Sequence, residues 1–166
     1  MSLKSMMSNY ANYNLWVNQQ FVNWLSPKSD ELLYAEVSSS FSNIMKTLDH
    51  IWSTEEYWFS VISETSPEEK KELSELSSAD VFAGLLNSSQ KLTDFIHSLS
   101  EEALVKKVKI SNPWFECELP LSEYLLQVVN HGTYHRGQIV TIGRNIGITD
   151  ASNTDYNFYN VVKGQK

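Results

Sequence analysis

Cysteine, proline and glycine are all scarce in this chain of 166 residues: one, four and six, respectively. The lone thiol, Cys117, cannot close an internal disulfide, and an unpaired cysteine suits a reducing compartment, so the cytoplasm is the expected location. No unbroken apolar run appears near the amino terminus or elsewhere, so neither a signal h-region nor a membrane span is expected. Positive charge is also short, with 13 Lys and Arg against 20 Asp and Glu and a net charge of −7. That balance removes the electrostatic basis for binding nucleic acid or an anionic membrane. The six glycines form no GxGxxG, GxxxxGK or GxSxG, leaving no phosphate-cradling loop and no serine elbow.

What remains is an ordinary globular composition, 42% hydrophobic and 20% charged, of a length that one core accommodates, so residues 1–166 are expected to form a single domain. Tyr10, Tyr13, Val17, Phe21 and Trp24 recur at steps of three and four, predicting a helix from Tyr10 to Leu25 that Ser26-Pro27 stops. A second helix is expected from about Phe41 to Ile62, apolar over a broad face. The stretch Ser63 to Ser78, with Pro67 and the charge cluster Glu68 to Glu72, reads as a solvated connection. Ser77 to Asp80 opens a third helix carrying Phe82, Leu85, Ser89, Leu92, Ile96 and Leu99. His97, near its end, reads as a partly exposed residue favoured by the carboxyl-end dipole.

Around Asn112-Pro113 the period changes from helical to alternating, in Val108 to Ile110 and in Phe115 to Leu119, which predicts a short two-stranded excursion. Cys117 is then expected to pack as a small hydrophobe. The last long helix runs from about Leu121 to Arg144, with one heptad series through Leu121, Val128, His135 and Ile142 and another through Tyr124, His131 and Gln138. Gly143 and Gly147 supply stops, and Asp150 to Lys166 is a tail without clear helical period. Four long helices with mostly short links argue for an all-α, antiparallel four-helix bundle.

His131 and His135, at i and i+4 on an inward stripe, stand about 5–6 Å apart at Cβ, a gap one metal ion can bridge. Buried imidazoles left unpaired cost about 1–3 kcal/mol each, so a hydrogen-bond network or a metal must satisfy them. His50 lies off the apolar stripe of the second helix, among Asn43, Thr47, Thr54 and Tyr57, where periodicity makes it a boundary residue beside the core. Gly132 follows His131 where a zincin needs glutamate, which argues against that peptidase mechanism. Thr47, Val128 and Gly132 stand three residues before the histidines, where di-iron bundles need glutamate. Glu55 and Glu56 are conceivable proton carriers, but surface salt-bridging is the better reading for both. Arg136 is expected to anchor the tail through Asp150 or Asp155. Gly132 and Gly137 each cost about 1 kcal/mol relative to alanine, which implies close approach of a neighbour.

The string Asn130 to Ile139, NHGTYHRGQI, with Arg144-Asn145-Ile146-Gly147 after it, resembles the final-helix signature of the DinB family of four-helix-bundle metalloproteins. Tyr13 to Asn18, Leu48 to Ile51 leading to Tyr57-Trp58, and Thr154 to Tyr159 are similar to family features in family order, so the resemblance spans nearly the whole chain. It implies that His50, His131 and His135 are ligands of one divalent transition metal ion, zinc or nickel foremost and iron compatible, with coordination positions left open. It also implies a homodimer and a relationship to transferases that add low-molecular-weight thiols to electrophiles. A metal with no adjacent base suits that chemistry, because coordination itself deprotonates a thiol. Hydrolysis of a small ester or amide, and a non-catalytic metal-stapled protein of the stress response, are the alternatives.

Overall fold

Four long helices carry most of the chain, and three of them open where a side chain caps the first turn. The structure, a computed structural model, describes residues 2–66, 69–111 and 115–163. Helix α1 (Leu3–Leu25) starts behind Ser2, whose hydroxyl accepts from the Ser5 amide, and stops before Pro27. After the short α2 (Asp30–Leu33), Asn43 caps α3 (Ile44–Ser63) by accepting from the Lys46 amide. Ser77 and Asp80 form a capping box at the start of α4 (Ser78–Ser98). Then come the short α5 (Glu101–Val105), strands β1 (Lys107–Ser111) and β2 (Glu116–Pro120), α6 (Leu121–Asn145) and α7 (Tyr156–Lys163).

The all-α bundle expected from the sequence is present, with the two-stranded excursion just before the last long helix. β1 and β2 pair antiparallel, Lys109 opposite Glu118. Helix α1 packs on α4 and α6, and α3 on the same two. Leu3 and Lys4 amides at the start of α1 donate to Glu101 just past the end of α4, so α1 and α4 are antiparallel. His50 meets His131 and Trp58 meets Tyr124, so α3 and α6 are antiparallel too. By contrast Asn18 to Ser89, Glu55 to Ser89 and Phe59 to Phe95, read with the α6 contacts Tyr10 to Asn130 and Arg136 to Asn18, make α3 parallel to α4 and α1 parallel to α6. The order is up, down, down, up. The link between α3 and α4 therefore returns along the bundle: Lys70 pairs with Asp49 in the second turn of α3 and lies over Trp52. A 3-10 turn, Leu73–Glu75, lies in this link. Pro67, Glu68, Asn112 and Pro113, which entered the sequence argument, lie outside the described residues.

The core has two apolar clusters. One includes Phe21, Leu25, Ile44, Leu48, Leu85 and Ile142; the other includes Met7, Ile96, Leu104, Leu125 and Val128. Buried Asn14, Asn18, Glu55, Ser89 and Arg136 come from all four long helices at the level where the clusters meet.

The tail departs from expectation. Asp155 accepts from the amides of Asn157 and Phe158 and so caps α7, which buries Tyr159 against Tyr13 and Trp16, ring centroids 5.6 and 5.3 Å away. Eight residues are too few for an unmistakable period, and packing on α1 stabilises what propensity alone would not. At the end of α6, Gly147 takes a φ of +88°, the left-handed cap that glycine adopts without strain. No helix among the described residues is long and apolar enough to cross a membrane.

Candidate metal centre

His50 in the second turn of α3 faces His131 and His135 in the middle of α6, and the antiparallel packing of these helices brings the three rings together. His131 Nε2 lies 3.1 Å from His50 Nε2 and 3.1 Å from His135 Nε2. All three ligand atoms fall within 4.8 Å of one another. His135 is buried, while His50 and His131 are half-buried, so the cluster opens to the surface on one side.

The supporting contacts fix which nitrogen does what. His135 Nδ1 lies 2.7 Å from Gln138 Oε1, and Gln138 Nε2 donates to Ser40 Oγ at 3.2 Å. An amide oxygen only accepts, so Nδ1 of His135 carries the proton and Nε2 presents its lone pair. The Phe41 ring stacks on His50 at 4.3 Å and meets His135 edge-on at 5.5 Å, covering one flank of the cluster. Gln138 and Ser40 went unnoticed at the sequence level as supporting residues. The signal for Gln138 was its i+3 spacing from His135; Ser40 lies in a loop and gave none.

Burial pushes all three imidazoles down from 6.5, so each prefers the neutral, ligating form. His131 moves furthest, to about 4, through desolvation first and then the neighbouring His135, His50 and Arg136. Desolvation also lowers His50, with His135 adding to it. It lowers His135 against the opposing pull of Gln138. With Nε2 of His135 an acceptor, no choice of tautomer at His50 and His131 lets the single Nε2 of His131 satisfy both 3.1 Å contacts. A tetrahedral ion with metal to nitrogen bonds of about 2.0–2.1 Å would set its imidazole nitrogens about 3.3 Å apart, close to the two 3.1 Å spacings at His131. The donor set therefore fits a divalent transition metal, with room for further ligands on the open side.

No carboxylate joins this cluster among the described residues. Asp49 pairs with Lys70, and Glu56 Oε1 lies 3.9 Å from Lys91 Nζ. Glu55 corrects the sequence reading: it is only 2% exposed. Its Oε1 accepts from Asn14 and Asn18 at 2.7 and 3.1 Å, and Oε2 accepts from Ser89 Oγ at 2.7 Å. Arg136 is a second correction. Its guanidinium enters the core and donates to Asn14, Asn18 and Thr133. The tail is anchored instead by Asp150, which accepts from Trp24 Nε1 and pairs with Lys28. Gly132 does make room, since a Cβ there would stand 2.8 Å from Arg136 Nη1, but Gly137 faces open space. Cys117 is half-buried, its Sγ 3.2 Å from the Tyr124 hydroxyl, and His97 is exposed in the last turn of α4.

Comparison with known proteins agrees with this architecture. A conserved protein from Enterococcus faecalis, known from its crystal structure, superposes with a TM-score of 0.68 over 88% of this chain and 98% of its own; at 12% identity it speaks to the fold alone. The Bacillus subtilis (strain 168) protein named "Protein DinB" is 34% identical over 166 residues, covering 92% of this chain and 95% of its own. The DinB family model matches residues 1–165. With a match of that extent and a bundle of the same kind, the chain belongs to the DinB family.

Proposed function

We propose that this protein binds one divalent transition metal ion, zinc or nickel foremost and iron by the same donors, through His50, His131 and His135, and transfers a low-molecular-weight thiol to an electrophile. The supporting observation is the convergence of three imidazole nitrogens, within 4.8 Å and free of carboxylate partners, at an opening between α3 and α6. When bound, such an ion supplies positive charge that favours the thiolate at neutral pH. The chain contributes neutral imidazoles held ready by burial, a proton fixed on Nδ1 of His135 by Gln138, and the Phe41 ring, which excludes water from one flank of the cluster. Among the described residues no acidic side chain stands in the cluster as a general base, which favours a nucleophile activated by coordination over water assisted by a carboxylate. We further propose that the protein works in the cytoplasm as a homodimer, on a small thiol and a small electrophile.

The test is conjugation of monochlorobimane by the metal-loaded protein with a panel of low-molecular-weight thiols. The proposal expects turnover that His131→Ala abolishes. Equal rates for the two proteins, or for protein and buffer, would refute it. Cleavage of p-nitrophenyl acetate without any thiol transfer would replace it with the hydrolase reading.

A further inference from the structure

Residues three and four apart share a helix face, so the stripe Thr133, Gly137 and Val140 lies on the side of α6 turned away from His131, His135 and Gln138. There a cavity of about 420 Å³ opens between α1, α6 and the segment leading into α7, with Tyr10, Tyr13, Thr133, Arg136, Asp155 and Tyr156 in its walls. Its size is ordinary for a small-molecule site.

Arg136 gives this cavity its chemistry. The residue is 3% exposed, and Nη1 donates to Asn14 Oδ1 and Asn18 Oδ1 at 3.1 and 2.9 Å, while Nη2 donates to Thr133 Oγ1 at 3.0 Å. The Tyr13 hydroxyl donates to the Thr154 carbonyl at 3.0 Å. Among the described residues the guanidinium forms no ion pair with a carboxylate. Glu55, the buried carboxylate of this layer, is reached only through the Asn14 and Asn18 amides. Neutral dipoles thus hold a full positive charge at a cavity wall, an arrangement that favours an anion in the cavity. Asp155 also lines it, but its Oδ1 is committed to the amides that open α7, at 2.7 and 3.2 Å. The remaining walls are aromatic: Tyr156 meets Tyr10 and Tyr13 edge-on, centroids 5.5 and 5.1 Å apart, beside Phe21 and Val140. Walls of that kind suit a flat apolar body.

We propose that this cavity is a second ligand site, separate from the histidine cluster, which takes a small organic anion with an aromatic or apolar body and one carboxylate directed at Arg136. Occupancy would tie the segment 154–159 to α1 and α6, since all three contribute walls.

The test is an NMR titration of the full ¹⁵N-labelled chain with sodium benzoate, with benzamide as the neutral isostere and inorganic phosphate as the anion without a body. The expected result is saturable shifts at the Thr133, Gly137 and Tyr156 amides with a Kd of about 1 mM or tighter for benzoate, and at least about tenfold weaker binding of the other two. In Gly137→Leu, a side chain grows into space where a Cβ meets nothing within 4 Å; the shifts should vanish while metal content stays the same. They should persist in His131→Ala, which separates this site from the metal centre. Benzamide or phosphate binding as well as benzoate, or benzoate shifts that survive in Gly137→Leu, would overturn the proposal.

Discussion

Two polar clusters lie side by side in this bundle and are built on opposite plans. The layer of Asn14, Asn18, Glu55, Ser89 and Arg136 is closed: donors meet acceptors across all four long helices, and none of its side-chain polar atoms is a buried orphan. The cluster of His50, His131 and His135 is open: two of its rings are half-buried, all three are pushed toward neutrality, and their nitrogens converge. A satisfied layer fixes the register of helices between two apolar clusters, whereas an unsatisfied convergence of lone pairs is suited to a ligand. The difference separates the register of the helices, which the closed layer fixes, from metal chemistry, for which the open cluster is suited.

Arg136→Ala attacks the closed layer most directly. It leaves the buried Asn14 and Asn18 carbonyls without their donor, and denaturant unfolding should show a loss of about 2–4 kcal/mol. The matching truncation of the open cluster, His131→Ala, should cost the metal-free protein less than about 1 kcal/mol, because that ring is half exposed and its removal strands no donor. Equal losses would erase the distinction between the clusters.

Next in size, Gln138→Ala removes the acceptor that fixes the His135 proton and should weaken metal binding about 10–100-fold by competition titration, with little change in stability.

The pH dependence is subtler. The pKa of His131 is about 4 when folded against 6.5 unfolded, so its contribution to stability is fully present above pH 6.5. It is lost as pH falls toward 4, because the unfolded chain takes up a proton that the folded one refuses. Unfolding of the metal-free protein measured across this window should lose up to about one proton of linkage in His131→Ala. An unchanged slope would show that burial does not hold this ring neutral.

Smallest of all, Glu55→Gln should change stability at pH 7 by less than about 1 kcal/mol. Burial already pushes Glu55 up toward its neutral form, and the amide keeps Oε1 as acceptor while its nitrogen can donate to Ser89. A loss approaching that of Arg136→Ala would mean that the layer needs the charge itself.

Much of this architecture was legible in the sequence because its signals are local. The capping box at Ser77, the stop at Pro27 and the heptads of α6 each act within a few residues, whereas the cap at Asn43 was passed over and the second helix was expected to begin at Phe41. The direction of the helices was not legible, since parallel neighbours require a link that runs the length of the bundle, and a charged stretch of that length looks like any solvated loop. The histidine pair in α6 was visible from its spacing, but His50 entered only through family resemblance; its place beside the pair depends on how α3 packs on α6. Glu55 and Arg136 were misread for the same reason. Charged residues are ordinarily surface residues, and their partners on other helices lie 34 to 122 positions away in sequence.

The most direct test of the open cluster is elemental analysis by mass spectrometry of the purified protein beside His135→Ala. One transition metal ion per chain in the first and a near-complete loss in the second is the outcome expected from three converging imidazoles. Equal metal content in the two proteins, whether negligible or stoichiometric, would contradict it.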